Sequence, residues 1–205
     1  MKQGNTVPDA LFPTDNGYDI PTLNQALQGD FVDAPVRGWG SVPRTTKMRG
    51  TWHFYLDDYK FSAVWKSPDR VLKTAAVSVI EPNFTTDDQM PLAVCLYRIY
   101  QKRWLARYWQ EHGLRVFVDL NVAEKCDGLN LLGVPAGWRA YATSAADYCL
   151  PALERQADLA YRHAGRDILL LVYGGGPKIR ELCKDRLWVN IPDARNASRK
   201  ESADA

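Results

Sequence analysis

No stretch of this 205-residue chain approaches the ~20 consecutive apolar residues of a membrane span. The N-terminus also lacks the apolar run of a signal peptide. The expectation is a protein with no membrane role, at work in the cytoplasm of a bacterium or an infected host cell. Cysteine is sparse: Cys95, Cys126, Cys149 and Cys183 are widely spaced and form no C-x-x-C pair. That argues against a zinc knuckle or a redox dithiol and for reduced thiols acting as small apolar residues. Histidine is scarcer still. His53, His112 and His163 are isolated, without metal-ligand spacing and without a His-hydrophobe-His pair. There is no Gly-x-Ser-x-Gly elbow for a serine nucleophile. Charge of one sign is missing too: 26 Lys and Arg face 24 Asp and Glu. Nothing global demands nucleic acid or an anionic membrane, so any basic site must be local.

What is present is an alternation of strand and helix patterns, framed by irregular ends. Residues 1–50 carry Pro8, Pro13, Pro21, Pro35 and Pro43, a spacing that forbids a long helix. This reads as a Pro/Gly-rich arm, with room for a helical turn after Pro21. Its last stretch holds Arg37, Arg44, Lys47 and Arg49 with no acid among them, the composition of a solvated loop or of an arm that tracks phosphates. Residues 51–192 read as one α/β domain. Short apolar runs at 53–56, 76–80, 115–120 and 167–173, with a strand region around the Pro135-Ala136-Gly137 turn, alternate with helical stretches. The helices at 91–112 and 145–164 end in Gly113 and Gly165, as C′ positions favour. Residues 193–205 read as a disordered polar tail. Such alternation predicts right-handed crossovers and a mostly parallel sheet of about five strands, as an open sheet or a partial (β/α) barrel.

In both architectures ligands meet the C-terminal ends of the strands. The pattern places Asp57, Asp58, Glu81, Asn83, Asp119, Asn121, Thr143 and Ser144 there, followed by Gly174-Gly175-Gly176. Converging carboxylates repel unless a cation relieves them. Asp57, Asp58, Glu81 and Asp119 are therefore candidate ligands for Mg²⁺ or Mn²⁺. Asp is also a favoured helix cap, and that plainer role applies to each acid taken singly. The glycine turn can offer backbone N–H groups to an anion, although it lacks a P-loop lysine and dinucleotide spacing. On the long helix, the stripe Leu92, Leu96, Ile99 continues at 100° per residue into Arg103, Arg107 and Gln110. Buried arginine is rare without a partner. The pair either binds a ligand's phosphate or matches acids of the domain, and Arg103, nearer the ligand edge, is the better placed.

Taken together, Tyr55-Leu56-Asp57-Asp58-Tyr59, Trp65-x-x-Pro68, Pro82-x-Phe84, Met90-Pro91 and Tyr100-x-x-Arg103-Trp104-x-x-Arg107-Tyr108-Trp109-Gln110-x-x-Gly113 resemble the family called domain of unknown function 4417. Gly133-Val134-Pro135 and Tyr173-Gly174 are also similar, so the resemblance spans roughly 52–175. It implies a context of bacteria, phages and other mobile elements more than a mechanism. Asp57, Asp58, Arg103, Arg107 and Gln110 match its motif; Glu81, Asn83 and Asp119 do not. Where the family has Pro-Asp-Phe this chain has Pro82-Asn83-Phe84, so a metal site using that aspartate would be rebuilt here through Glu81.

Two functional expectations follow. In one, the chain is a divalent-metal-dependent hydrolase or nuclease acting on nucleic acid or a nucleotide. Asp57, Asp58 and Arg103 are then catalytic, Glu81 or Asp119 completes the metal site, and Arg107, Gln110, Asn121, Gly174 and Gly175 hold substrate. In the other, it is a non-catalytic phage or plasmid accessory protein that binds nucleic acid or a host protein, and its acids and arginines form a buried network.

Overall fold

The computed structural model describes residues 12–40 and 47–193. Arg44 and the tail from 194 onward lie outside the described residues. Seven strands form one sheet: β1 (Val36–Gly38), β2 (Thr51–His53), β3 (Ser78–Ile80), β4 (Arg115–Asp119), β5 (Ala140–Ala145), β6 (Leu169–Gly174) and β7 (Val189–Ile191). Each pairs in parallel with the next, so spatial order follows chain order throughout. That order rolls up: the ring of His53 on β2 lies 4.2 Å from that of Tyr173 on β6, and Tyr55 stacks on the same ring at 5.5 Å. The result is a nearly closed (β/α) barrel, the barrel alternative among the expected parallel folds. β1 and β7 raise the strand count above five. Each is three residues long, too short to show a period.

The crossovers explain the chain's helical segments. Three single turns, α1 (Asp58–Phe61), α2 (Ala63–Lys66) and α3 (Asp69–Leu72), link β2 to β3. The long α4 (Leu92–Glu111) links β3 to β4, and the short α5 (Asp127–Asn130) lies between β4 and β5. α6 (Leu150–Ala164) and α7 (Pro177–Asp185) complete the set. Gly165 takes the left-handed conformation at φ 63° and closes α6 through an N–H to Tyr161. The expected stripe on α4 holds in its later turns, where Ile99, Arg103 and Gln110 are buried, and fails at its start, where Leu92 is exposed and Leu96 half-buried. The second half of this helix is covered by protein on more than one side, so Gln101 and Lys102 are also buried at positions where an amphipathic pattern expects water.

The arm supplies part of that cover. β1 belongs to it, and so does a 3-10 turn at Gln25–Leu27. β4 and β5 pair only at Val118↔Tyr141 and Asp119↔Ala142, and they part below. Gln28 and Gly29 fill the gap: Gly29 donates to the Val116 carbonyl at 2.9 Å, and the Gln28 amide oxygen accepts the Arg139 N–H at 2.8 Å. Gln110 clamps the arm with three hydrogen bonds, accepting from Asn24 N–H (2.8 Å) and donating to the Asn24 and Leu27 carbonyls (3.0 and 3.1 Å). Farther along, Gly133 sits at φ 72° and leaves no room for a side chain, since a Cβ there would lie 2.1 Å from the Pro21 carbonyl oxygen. Gln110→Ala should destabilise the protein by about 1–3 kcal/mol, because it removes three hydrogen bonds to partly buried backbone groups of the arm. Denaturant unfolding and amide exchange across 24–29 measure this; unchanged exchange there would mean that Gln110 does not hold the arm.

Candidate functional site

An open cleft of about 610 Å³ lies over the C-terminal ends of the strands. Tyr55, Leu56 and Asp57 reach it from β2, Asn83 from β3, and Ser144 to Tyr148 from β5. Tyr173 and Gly174 end β6, Gly175 and Gly176 follow it, and Asp193 follows β7. Among the described residues no Lys or Arg lines it. A second, polar hollow of about 320 Å³ shares Asn83 and is bordered by Thr85 to Asp88 and by Asn121.

The expected site residues divide between this cleft and the protein interior. Asp57 lines the cleft and pairs with Lys60 at 2.8 Å. Asp58 lies on its flank, where its carboxylate accepts the Thr85 N–H (3.2 Å) and hydroxyl (2.9 Å) and so ties α1 to the loop after β3. Asn121 donates from its side-chain amide to Ser144 Oγ at 3.0 Å. Gly174 and Gly175 both take φ 83°, which a side chain would strain. The backbone donors beyond them already hold an anion, the chain's own Asp147 carboxylate, bonded by Gly176 N–H (2.8 Å) and Ile179 N–H (3.2 Å). Burial pushes the Asp147 carboxyl up, but the N–H groups of Ile179, Gly176 and Lys178 outweigh it and hold the carboxyl below its ordinary value.

Glu81, Asp119 and Arg103 are fully buried outside the cleft. Arg103 spends every nitrogen inside the protein: Nη1 on Glu81, Nη2 on the Asn130 carbonyl (2.6 Å) and Nε on the Leu132 carbonyl (3.1 Å). Asp119 pairs with Lys102 at 3.0 Å, and Lys102 also donates to the Asp119 carbonyl at 2.8 Å. The Asp119 N–H donates to the second Glu81 oxygen at 3.1 Å, which joins the two ion pairs. Asn130 donates to the Asp119 carbonyl and Tyr55 to the Asp119 carboxylate, at 3.0 and 3.1 Å. Burial pushes Glu81 up, against the pull of Arg103 and Lys102. Burial, and then Asp119, raise the Tyr55 phenol well above its ordinary value. The four expected metal ligands are thus split between cleft and network, and among the described residues no group of three or more His, Cys, Asp or Glu is placed to hold a metal ion. Arg107 pairs with Glu111 on α4, and Gln110 serves the arm at the opposite edge of the barrel.

Residues 12–146 match the family described as a domain of unknown function, DUF4417. The chain belongs to this family. Two phage proteins, each named Gene 1 protein, are similar to it. The one from Mycobacterium phage D29 is 35% identical over 111 residues, 51% of this chain and 40% of that protein. The one from Mycobacterium phage L5 is 36% identical over 111 residues, 51% of this chain and 47% of that protein. The chain spans less than half the length of these curated relatives. No solved structure matches. No described helix is long and apolar enough to cross a membrane. For the DUF4417 chain, sequence reasoning passed over Lys102, Tyr148, Asp147 and His53. His53 had one usable signal: it alternates with Thr51 and Tyr55 along a strand, which sets it facing the same side as the cleft-lining tyrosine.

Two predictions follow. Arg103→Met should cost about 3–5 kcal/mol by leaving Glu81 charged and unpaired, whereas Glu81→Leu with Arg103→Met should cost much less. A double-mutant cycle by denaturant unfolding checks this, and additive losses would show that the two do not act as a pair. The second concerns His53, whose imidazole burial pushes down to about 4 against the pull of Asp193. Its folded pKa lies below the unfolded value, so the unfolded state takes up the proton first as pH falls. The stability gained from a neutral His53 is complete above pH ~6.5 and is lost down to pH ~4, in total about 3 kcal/mol. The unfolding free energy of His53→Phe should lack this part of the slope between those pH values. Parallel pH curves for the two proteins would show that His53 does not titrate as its burial implies.

Proposed function

We propose that this chain is a ligand-binding (β/α) module of phage-type proteins and that the cleft over the strand ends is its site. One observation carries the reading. The deepest charged residues pair with each other in the Glu81–Arg103 and Asp119–Lys102 network, while the cleft above stays open, with aromatic and hydrogen-bonding walls. Its size falls within the range of small-molecule sites. The position supports the same reading, since (β/α) barrels bind their ligands at this face. That last step is an analogy of fold.

The lining restricts the ligand. Tyr55, Tyr148 and Tyr173 offer ring surfaces, and Tyr148 is 88% exposed. Asn83 and Ser144 offer neutral hydrogen bonds. Asp57, Asp147 and Asp193 bring negative charge, and among the described residues no lining Lys or Arg meets a phosphate. A planar or sugar-like ligand, neutral or cationic, suits these walls. A phosphate-bearing ligand suits them only when escorted by Mg²⁺ or Mn²⁺, with Asp57 facing the cation. The reading of the chain as a phosphoryl-transfer enzyme has less support, because Arg103 is turned away and fully engaged.

A thermal-shift screen tests this with nucleosides, amino sugars, Mg²⁺ and Mn²⁺ alone, and nucleotides with and without Mg²⁺. A ligand present at 100 times its Kd adds about 2.7 kcal/mol to stability. We expect a rise in Tm for at least one nucleoside or amino sugar, and for a nucleotide only with the metal. Tyr148→Ala and Asn83→Ala should abolish the rise while leaving the ligand-free Tm nearly unchanged. A shift that survives both substitutions would place the site elsewhere.

A further inference from the structure

The opposite rim of the barrel carries charge of the other sign. Residues 47–50 lead into β2 and residues 73–77 into β3, so both segments lie where the strands begin. They are laid side by side: the Met48 N–H donates to the Thr74 carbonyl at 2.8 Å, and Lys47 Nζ donates to the Lys73 carbonyl at 2.8 Å. The contact gathers Lys47, Arg49 and Lys73, all exposed, and Arg70, half-buried and one turn before Lys73 on the same face of α3. In the sequence these four fall in two separate segments, and only the fold makes them one group.

Their charges are not met from within. Among the described residues no carboxylate lies within ion-pair distance of any of the four. Four acids at this end of the barrel are engaged elsewhere. Asp30 and Asp33 bind Arg115, at 2.8 and 3.3 Å. Asp69 accepts the Tyr108 hydroxyl, and Glu111 pairs with Arg107. A nearly neutral protein that fixes four cations together and directs the neighbouring acids to other partners has a local positive field, which is what attracts a polyanion.

We propose that this rim is a binding surface for the phosphate backbone of duplex nucleic acid, formed by Lys47, Arg49, Arg70 and Lys73. The four-cation group itself is suited to phosphates. Among the described residues no exposed large apolar side chain belongs to segments 47–50 or 66–77, so the group offers neither a stacking platform for unpaired bases nor a wedge for a lipid bilayer; Phe31, exposed elsewhere on this rim, lies against the Arg115 guanidinium. Recognition is therefore of the backbone, without regard to sequence. The inference is independent of the cleft: it uses the other end of the barrel and other residues.

Fluorescence anisotropy with a labelled 20-base-pair DNA duplex, titrated at stepped salt concentrations, tests it. The expected result is binding whose log K falls linearly with log[salt], with a slope of about −0.9 for each phosphate contacted. Arg49→Glu and Lys73→Glu should each weaken binding and make the slope shallower by about one. Arg162→Glu, the same charge change on α6 outside the group, should alter neither. Should a reversal fail to fold, Arg49→Gln and Lys73→Gln carry the test, with the same direction and a smaller effect. Absence of duplex binding at low salt, an equal loss with Arg162→Glu, or capture by phosphatidylglycerol vesicles without duplex binding would each overturn the proposal.

Discussion

Four charges buried beneath the cleft hold the upper half of this barrel in register. Glu81 follows β3 and Asp119 ends β4, adjacent strand ends where two carboxylates would repel each other in a low-dielectric interior. The adjacent Lys102 and Arg103 on α4 resolve that conflict, one for each acid. The same arrangement fastens α4 to two strands and, through the Asn130 and Leu132 carbonyls, to the irregular crossover after β4. That crossover has only one turn of α-helix, and its Val122 and Cys126 join Ile20, Cys95 and Ile99 in a small apolar cluster. The guanidinium donates to these two carbonyls, and without it they would lose those partners in the interior.

The network also shapes the cleft. Tyr55 belongs to both, with its hydroxyl on buried Asp119 and its ring in the cleft wall beside Tyr173. The strongest charges are therefore sealed below, and the exposed face presents rings, amides and the remaining carboxylates. Those carboxylates have structural work of their own: Asp58 fixes Thr85, and Asp147 caps α7 across the glycine turn. A strand-end acid thus carries several meanings: Asp147 caps a helix, Asp58 pins a loop, and Glu81 and Asp119 join the buried network. The barrel separates its charges, acidic around the cleft and basic at the opposite rim.

Sequence and structure agree best where the signal was local. The apolar run 167–173 became β6, buried at Leu170 to Val172, and Gly165 ended α6 as its position required. Agreement failed where a partner distant in sequence decided the outcome. Leu92 looked like the start of a buried stripe but faces water, because what covers α4 meets only its later turns. Gln110 looked like a continuation of the buried stripe, and it is buried, but the partners that hold it are Asn24 and Leu27, more than eighty positions away. No periodicity within a helix reports such a partner.

The sequence by itself determined the fold class and the edge to which the strand-end polar residues are brought. Alternating periods force parallel strands, and parallel strands share one C-terminal edge. It also held the residues of its family's motif, including the arginines. Only the tertiary structure decided what those charges do. Whether Arg103 faces a ligand or Glu81 depends on which way a 20-residue helix is turned against the sheet, and that orientation is set by the summed packing of the arm, the sheet and the loop before β5. A charge's partner is a property of distance in space, to which distance along the chain is a poor guide. For that reason the network, the open cleft and the basic rim emerged only once the chain was folded.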